Sequence, residues 1–391
     1  MSVSFSRITR PLHQLALTFL MLSLATAVSQ AQLFETKAKN AILLDVTTRS
    51  VLFNKNADAS VPPASLAKLM TMEVVFHALK TRQLSLDDAF LVSENAWRRG
   101  GAASGGSTMF AELNSTIRVE DLIRGVIVQS ANDGCIILAE GMAGTEETFA
   151  NLMNERAKAI GLKGSVFYNS TGLPHPEQRV TMRDLVTLAT HMQREYPQYY
   201  RYYAEEAFEW NNINQRNRNP LLSMEIGADG MKTGFTEESG YAIVGSTVAD
   251  NRRLVVAMSG MENQRERAQE ARKLLEWGRR AFDEVALFNE DAPVGNVRLY
   301  GGADFTVPVA PEEGLTFLVP IGSTENLRAR IVFEGPVMAP VSAGDEIAEL
   351  HLYFGDDLAQ ITPLYAAKTV GRGPIHRQAL DALSELLLGW I

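Results

Sequence analysis

The spacing of apolar residues changes along the chain, and each change predicts a different kind of element. Residues 41–46 (Ala-Ile-Leu-Leu-Asp-Val) and 50–53 (Ser-Val-Leu-Phe) are short apolar runs on either side of a Thr-Thr-Arg turn, the pattern of a β-hairpin. From Ser65 the spacing becomes helical, with Leu66, Leu69, Met70, Val74 and His77 on one face. The same periodicity predicts helices over 120–129, 136–142, 148–160 and 181–195. Strand patterns return over 241–245 and 253–258, and an amphipathic helix over 265–282 closes the region. Strands at both ends with helices between predict an α/β (α+β) layered domain over 34–284.

After Phe282 the texture shifts. The runs 305–309, 315–319, 327–333 and 349–354 are short and β-rich, and they alternate with Gly, Pro and Asp turns, which predicts a small all-β sandwich over 288–370. Gly371-Arg372-Gly373-Pro374 reads as a hinge before a last amphipathic helix over 374–391, in which Leu380, Leu383, Leu387 and Ile391 share a stripe. Such a helix suits a membrane interface, here through residues 376–391, although Asp381 and Glu385 weaken its attraction to anionic lipid. Packing of the stripe on the protein itself or on a partner is the competing reading. At the other end, Arg7 and Arg10, an apolar stretch over 15–28 and Ser29-Gln30-Ala31 make residues 1–31 a secretory signal peptide. The stretch falls short of the roughly 20 residues a spanning helix needs, so an uncleaved anchor is the lesser alternative.

Composition narrows the classes. A chain of 391 residues with 46% hydrophobic and 21% charged residues can fill two folded cores and is not disordered. The net charge of −9 argues against a nucleic-acid partner, which requires a basic face. Cys135 is the one cysteine, so no intramolecular disulfide forms, and its apolar surroundings suggest a buried, inert thiol. Export without disulfides fits a bacterial envelope protein.

Three short fragments carry chemistry: Ser65-Leu66-Ala67-Lys68, Ser130-Ala131-Asn132 and Lys232-Thr233-Gly234. Ser65 and Lys68 are one helical turn apart and share a face, so they can exchange a proton. A serine hydroxyl is a weak nucleophile until a neighbour takes its proton. Lys68 can do so only when neutral, and burial beside a second cation, Lys232, would lower its pKa. Ser130 can relay a proton to a leaving amine, and Asn132 can hold Lys68 and a substrate amide. Thr233 offers a hydroxyl to a carboxylate, and Gly234 lets a substrate backbone approach its strand.

Each fragment has a blander reading. Ser65 or Ser130 could simply cap a helix, Ser-x-Asn recurs at Ser93-Glu94-Asn95, and Lys-Thr-Gly could be a surface turn. However, Ser-x-x-Lys and Lys-Thr-Gly each occur once, in the order known for serine enzymes of this type, so the trio outweighs its parts. The competing design, a Ser-His-Asp triad, would draw on His13, His77, His175, His191, His351 or His376, but no Gly-x-Ser-x-Gly elbow is present. No His-Glu-x-x-His metal motif occurs, and neither a metal nor a cofactor is expected. His175 lies in a loop and could line the cleft.

With their surroundings, Pro63-Ala64-Ser65-Leu66-Ala67-Lys68-Leu69-Met70, Gln129-Ser130-Ala131-Asn132-Asp133, Asp229-Gly230-Met231-Lys232-Thr233-Gly234-Phe235-Thr236 and Leu274-Leu275-Glu276-Trp277-Gly278, the chain resembles the D-alanyl-D-alanine carboxypeptidases among the low-molecular-mass penicillin-binding proteins. The resemblance implies a β-lactamase/transpeptidase-like domain with a central antiparallel sheet and a helical cluster, followed by the β-rich domain and the tail. It also implies that Ser65 attacks the bond between the two terminal D-alanines of peptidoglycan stem peptides, and that β-lactams are covalent inhibitors. Catalytic roles fall to Ser65, Lys68, Ser130, Asn132 and Lys232. The oxyanion would meet the backbone N–H groups of Ser65 and Phe235, and the terminal carboxylate would meet Thr233, Ser130 and Arg267. Arg218 would tune Lys232, although surface salt bridges are the plain reading of both arginines. The implied location is the periplasm, at the outer face of the inner membrane. The run 98–110 departs from the family in length and glycine content, so it is expected to be a long loop that either alters substrate preference or is simply flexible. The alternatives are a class A β-lactamase, for which no Glu-x-x-Leu-Asn stretch lies between Asn132 and Lys232, a D,D-endopeptidase, and a non-catalytic sensor of stem peptides or β-lactams.

Overall fold

The computed structural model describes residues 34–289, 292–321, 327–375 and residue 378. The signal-peptide reading over 1–31 lies outside these residues, as does all but Gln378 of the segment 376–391 expected to meet a membrane.

Five antiparallel strands form the centre of the first domain, in the order Ser50–Lys55, Asn40–Asp45, Arg252–Met261, Gly240–Ala249 and Ala228–Thr236. Both faces of this sheet are covered, which is why its strands read as unbroken apolar runs rather than alternating ones. Successive side chains point to opposite faces. Ile42, Val244, Val255 and Ala257 enter a large helical core, while Leu43, Ile243, Leu254, Val256 and Met258 pack beneath the helix Gln264–Arg280. The helical cluster comprises Lys68–Lys80, Val119–Val128, Asn132–Ala143, Glu146–Ile160 and Met182–Glu195, close to the predicted spans. Buried Glu73 holds Arg156 at 2.7 Å and ties the first of these helices to the fourth.

The last helix of this domain stops at Arg280, not at Phe282. Phe282 instead opens a strand, Phe282–Phe288, that pairs with Leu315–Pro320, and its ring meets Trp277 edge-on at 4.9 Å. The β-rich region has its own core, centred on Val297, Leu299, Phe317, Leu350 and Leu352. It joins the central sheet through one paired position, Gln360 opposite Ser50, where the Ser50 hydroxyl donates to Gln360 Oε1 at 3.0 Å. Leu318 crosses into the core under the helix Gln264–Arg280, beside Leu52 and Leu274.

The expected long loop over 98–110 is only partly a loop. Its start completes a helix, Glu94–Gly100, whose cap is Ser93, accepting from the Ala96 N–H at 2.9 Å. The second Ser-x-Asn fragment is therefore a helix cap. No helix among the described residues is long and apolar enough to cross a membrane.

Candidate active site

Ser65 sits on a 3-10 turn, Ala64–Ala67, that leads straight into the helix Lys68–Lys80. Neither element has a side-chain cap, so the capping reading of Ser65 does not hold. Ser130 is likewise no cap. It occupies the joint between Val119–Val128 and Asn132–Ala143 with φ 60°, a left-handed conformation uncommon for a serine, and the helix that follows is entered through Ala131 with no side-chain cap. Lys232, Thr233 and Gly234 lie on the edge strand Ala228–Thr236, which passes directly beside the 3-10 turn. A Cβ on Gly234 would stand 3.2 Å from Ala64 Cβ and 3.3 Å from Leu66 Cγ, so only glycine permits this approach unstrained.

The three fragments thus meet. Lys68 Nζ donates to Ser65 Oγ at 3.1 Å, to Asn132 Oδ1 at 2.8 Å and to the Thr171 carbonyl. Lys232 Nζ donates to Ser130 Oγ at 2.8 Å. Lys68, Ser130, Asn132, Lys232 and Thr233 are all buried, while Ser65 is partly open. Two ammonium groups in so little water are costly as cations. Burial, with a further push from Arg218, brings Lys68 down to about 8. Burial, then repulsion from Lys68 and Arg218, holds Lys232 well below the usual ammonium range. Cys135, on the helix that Asn132 begins, is fully buried, and its thiol is pushed up to about 12 by that burial.

Around this centre the other expected residues take their places. Phe235 follows Gly234 on the strand, half exposed, with its ring against Tyr241 at 4.3 Å. Arg267 is 7% exposed, lies over the Tyr241 ring at 5.8 Å, and is close enough to depress Lys232. Its buried Nε has no partner among the described residues, which leaves a donor for a ligand. Arg218 is exposed, and it reaches both lysines through charge rather than contact.

Several supporting groups carry no motif of their own. Asp133 accepts from Thr108 Oγ1 at 2.6 Å and from the Met109 and Ala111 N–H groups at 3.0 and 3.1 Å. It thereby fastens the glycine-rich segment to the helix bearing Asn132. Glu146 accepts from Ser170 Oγ at 2.8 Å and steadies the stretch whose Thr171 carbonyl receives Lys68. The backbone acceptor could not be foreseen, because a carbonyl leaves no side-chain signature. His175, from the loop after Gly172, lines a groove beside Phe235 and Ala64.

Comparison with known proteins matches the same regions. A family model described as D-alanyl-D-alanine carboxypeptidase covers residues 25–263, and one described as penicillin-binding protein 5, C-terminal domain, covers 282–372. The D-alanyl-D-alanine carboxypeptidase DacC of Escherichia coli (strain K12) is 36% identical over 369 residues, spanning 93% of this chain and 92% of that protein. The structure of penicillin binding protein 5 from Haemophilus influenzae superposes with a TM-score of 0.72 at 32% identity, covering 87% of this chain and 99% of that one. Penicillin-binding protein D2 from Listeria monocytogenes, solved in its ampicillin-bound form, matches with a TM-score of 0.55 at 26% identity over 63% of this chain and 99% of its own.

Proposed function

Because this chain belongs to the D-alanyl-D-alanine carboxypeptidase family and shares its serine-type hydrolysis of peptidoglycan peptides, we propose that Ser65 is its nucleophile and Lys68 the base. Neutral Lys68 takes the Ser65 Oγ proton, and Oγ attacks the carbonyl carbon of the penultimate D-alanine. The oxyanion is held by the Ser65 and Phe235 N–H groups, and the terminal carboxylate by Thr233, Ser130 and Arg267. As the C–N bond breaks, Ser130, hydrogen-bonded to Lys232, gives its proton to the leaving nitrogen and is resupplied with the one Lys68 took from Ser65, so D-alanine departs and Lys68 is neutral again. Neutral Lys68 then takes a proton from water as it attacks the acyl carbon, and returns that proton to Ser65 Oγ as the ester C–O bond breaks, freeing Ser65 and the shortened peptide. Asn132 positions Lys68 and the substrate amide, and the charge of Arg218 lowers the proton affinity of both lysines. A β-lactam would follow the first half of this course, its leaving nitrogen staying tethered in the opened ring.

The observation that carries this reading is the 3.1 Å approach of Lys68 Nζ to Ser65 Oγ inside the pocket that also holds Ser130 and Lys232. Incubation with a fluorescent penicillin and with diacetyl-Lys-D-Ala-D-Ala tests it. The native chain is expected to be labelled and to release D-alanine, and Ser65→Ala to lose both by about 10⁴-fold or more. Equal labelling of the variant would sink the assignment, and rapid penicillin turnover would favour the β-lactamase alternative.

The reading extends to location. Residues 1–31 direct export to the periplasm, and residues 376–391 hold the enzyme on the outer face of the inner membrane, as the stripe of Leu380, Leu383, Leu387 and Ile391 suggests. A chain ended at Gly373 should move from the membrane to the soluble fraction. Persistence on the membrane would overturn the anchoring role.

A further inference from the structure

A lysine serves as a base only when it is neutral and its lone pair faces the proton to be taken. A neutral amine has two N–H bonds and one lone pair. Asn132 Oδ1 at 2.8 Å and the Thr171 carbonyl both accept from Lys68 Nζ, so they occupy the two N–H bonds and turn the lone pair towards Ser65 Oγ at 3.1 Å. Whatever holds these two oxygens decides whether the base is aimed. One carboxylate reaches towards both. Glu146 Oε1 accepts from the Ser170 N–H at 3.2 Å and from Ser170 Oγ at 2.8 Å, next to Thr171 in the chain. The Ser170 carbonyl accepts from Thr71 Oγ1, on the helix Lys68–Lys80, at 2.6 Å, so every polar group of this buried serine is used. Glu146 Oε2 accepts from Arg99 at 3.0 Å. Arg99 lies on the helix Glu94–Gly100, and the segment that follows brings Gly106 so near Asn132 that a Cβ would stand 2.9 Å from its Nδ2. Ser107 then accepts from the Asn132 N–H at 2.8 Å. The Glu146 side chain is 10% exposed and that of Arg99 54%, so the bridge is shielded at its inner end and open to water at its outer one.

We propose that Glu146 is a positioning residue for acylation, which aims Lys68 at Ser65 by fixing the Thr171 side through Ser170 and the Asn132 side through Arg99. The inference rests on the carboxypeptidase reading with Lys68 as base. Charge acts beside geometry. Lys68 is faced by Asp133 and Cys135 from the helix Asn132–Ala143, by Lys232 from the edge strand, by Arg218 and by Glu146. Burial is the main reason its ammonium is weakened, Arg218 adds to the effect, and the Glu146 carboxylate acts against it. Removing that negative charge should make Lys68 easier to deprotonate. Removing Arg99 leaves the Glu146 charge less balanced and should do the opposite.

The test is the pH profile of fluorescent-penicillin labelling, followed for the native chain and three variants. In Glu146→Gln the amide oxygen can keep both Ser170 bonds, but the charge is gone and an NH₂ group faces Arg99. The midpoint of its profile should move down by about half a unit. Its high-pH rate should fall about two- to ten-fold as the Asn132 side loosens. Glu146→Asp keeps the charge on a shorter arm, so the midpoint should return to the native value while the high-pH rate stays low. Arg99→Gln should move the midpoint up, by about a quarter of a unit at so exposed a position. An unmoved midpoint in Glu146→Gln would reduce Glu146 to a structural residue and overturn the inference, and a shift with an unchanged high-pH rate would overturn the aiming role. If Glu146→Gln labels at no pH, Arg99→Gln decides: an upward shift supports the inference and an unmoved midpoint overturns it. A native rate that is flat with pH would instead overturn the reading of Lys68 as the base.

Discussion

Under the proposed mechanism Lys68 has two tasks that ask for opposite charge states. As an ammonium it donates to Asn132 and to the Thr171 carbonyl and so fixes the geometry of the site. As a base it must be neutral. With burial bringing it down to about 8, it is roughly one-tenth neutral at pH 7. The sign follows directly: raising the pH strips the ammonium and creates the base, so acylation should speed up. We expect the rate of fluorescent-penicillin labelling to rise about tenfold per pH unit below about 8 and then level off. Lys68→Arg, always charged, should be slower by about 10² or more at every pH. A labelling rate flat from about pH 6 to 9 would remove Lys68 from the base's role. At this scale the sequence showed which side chains come together wherever they stand at fixed local spacing, as Ser65 and Lys68 do. Thr171 escaped because it contributes only a backbone oxygen. Asp133 and Glu146 escaped because their partners, Thr108 and Ser170, lie 25 and 24 residues away in the chain.

The site depends on how closely two elements approach, the 3-10 turn Ala64–Ala67 and the edge strand Ala228–Thr236. Gly234 sets that distance. In Gly234→Ala the new methyl would sit 3.2 Å from Ala64 Cβ and 3.3 Å from the Pro63 carbonyl oxygen, so the turn must retreat by a few tenths of an ångström. Ser65 rides on that turn, and the Phe235 N–H proposed as an oxyanion donor sits on the strand, so their alignment should open. We expect labelling to slow by about 10- to 100-fold while stability falls by only about 1–2 kcal/mol. A stopped-flow labelling rate equal to the native one would show that the approach is not limiting. Helical period and strand runs made most elements legible, because both faces of the sheet are buried and its strands stay apolar throughout. The glycine-rich run misled for a local reason: glycine counts against helix, yet Ser93 caps a short helix that Gly100 still completes. Gly100 is tolerated there because it packs on the Asp133 backbone, where a Cβ would come within 2.3 Å.

Across the whole molecule, the β-rich region and the reaction centre occupy opposite edges of one sheet. Gln360 joins the strand Ser50–Lys55, whereas Lys232 and Thr233 lie on the strand at the other edge. Five inter-strand spacings, about 24 Å, separate Gln360 from that strand. Sequence texture identified two regions, but it could not show that Leu318 of the second fills the core of the first beside Leu52 and Leu274. A single apolar residue in a β-run looks the same whichever core receives it. The arrangement makes a sharp prediction, because Leu318 meets the first domain at the edge away from Lys232, and distant sites behave nearly independently. Leu318→Ala removes a side chain that is 3% exposed and should cost about 2–5 kcal/mol. The unfolding midpoint should drop by several degrees, with the fluorescence of Trp277, which lies over the same core, following the transition. The penicillin labelling rate at 25 °C should stay within about two-fold of native. If labelling fell in step with stability, the second region would have to shape the reaction centre through the sheet, and the two edges could no longer be treated as separate.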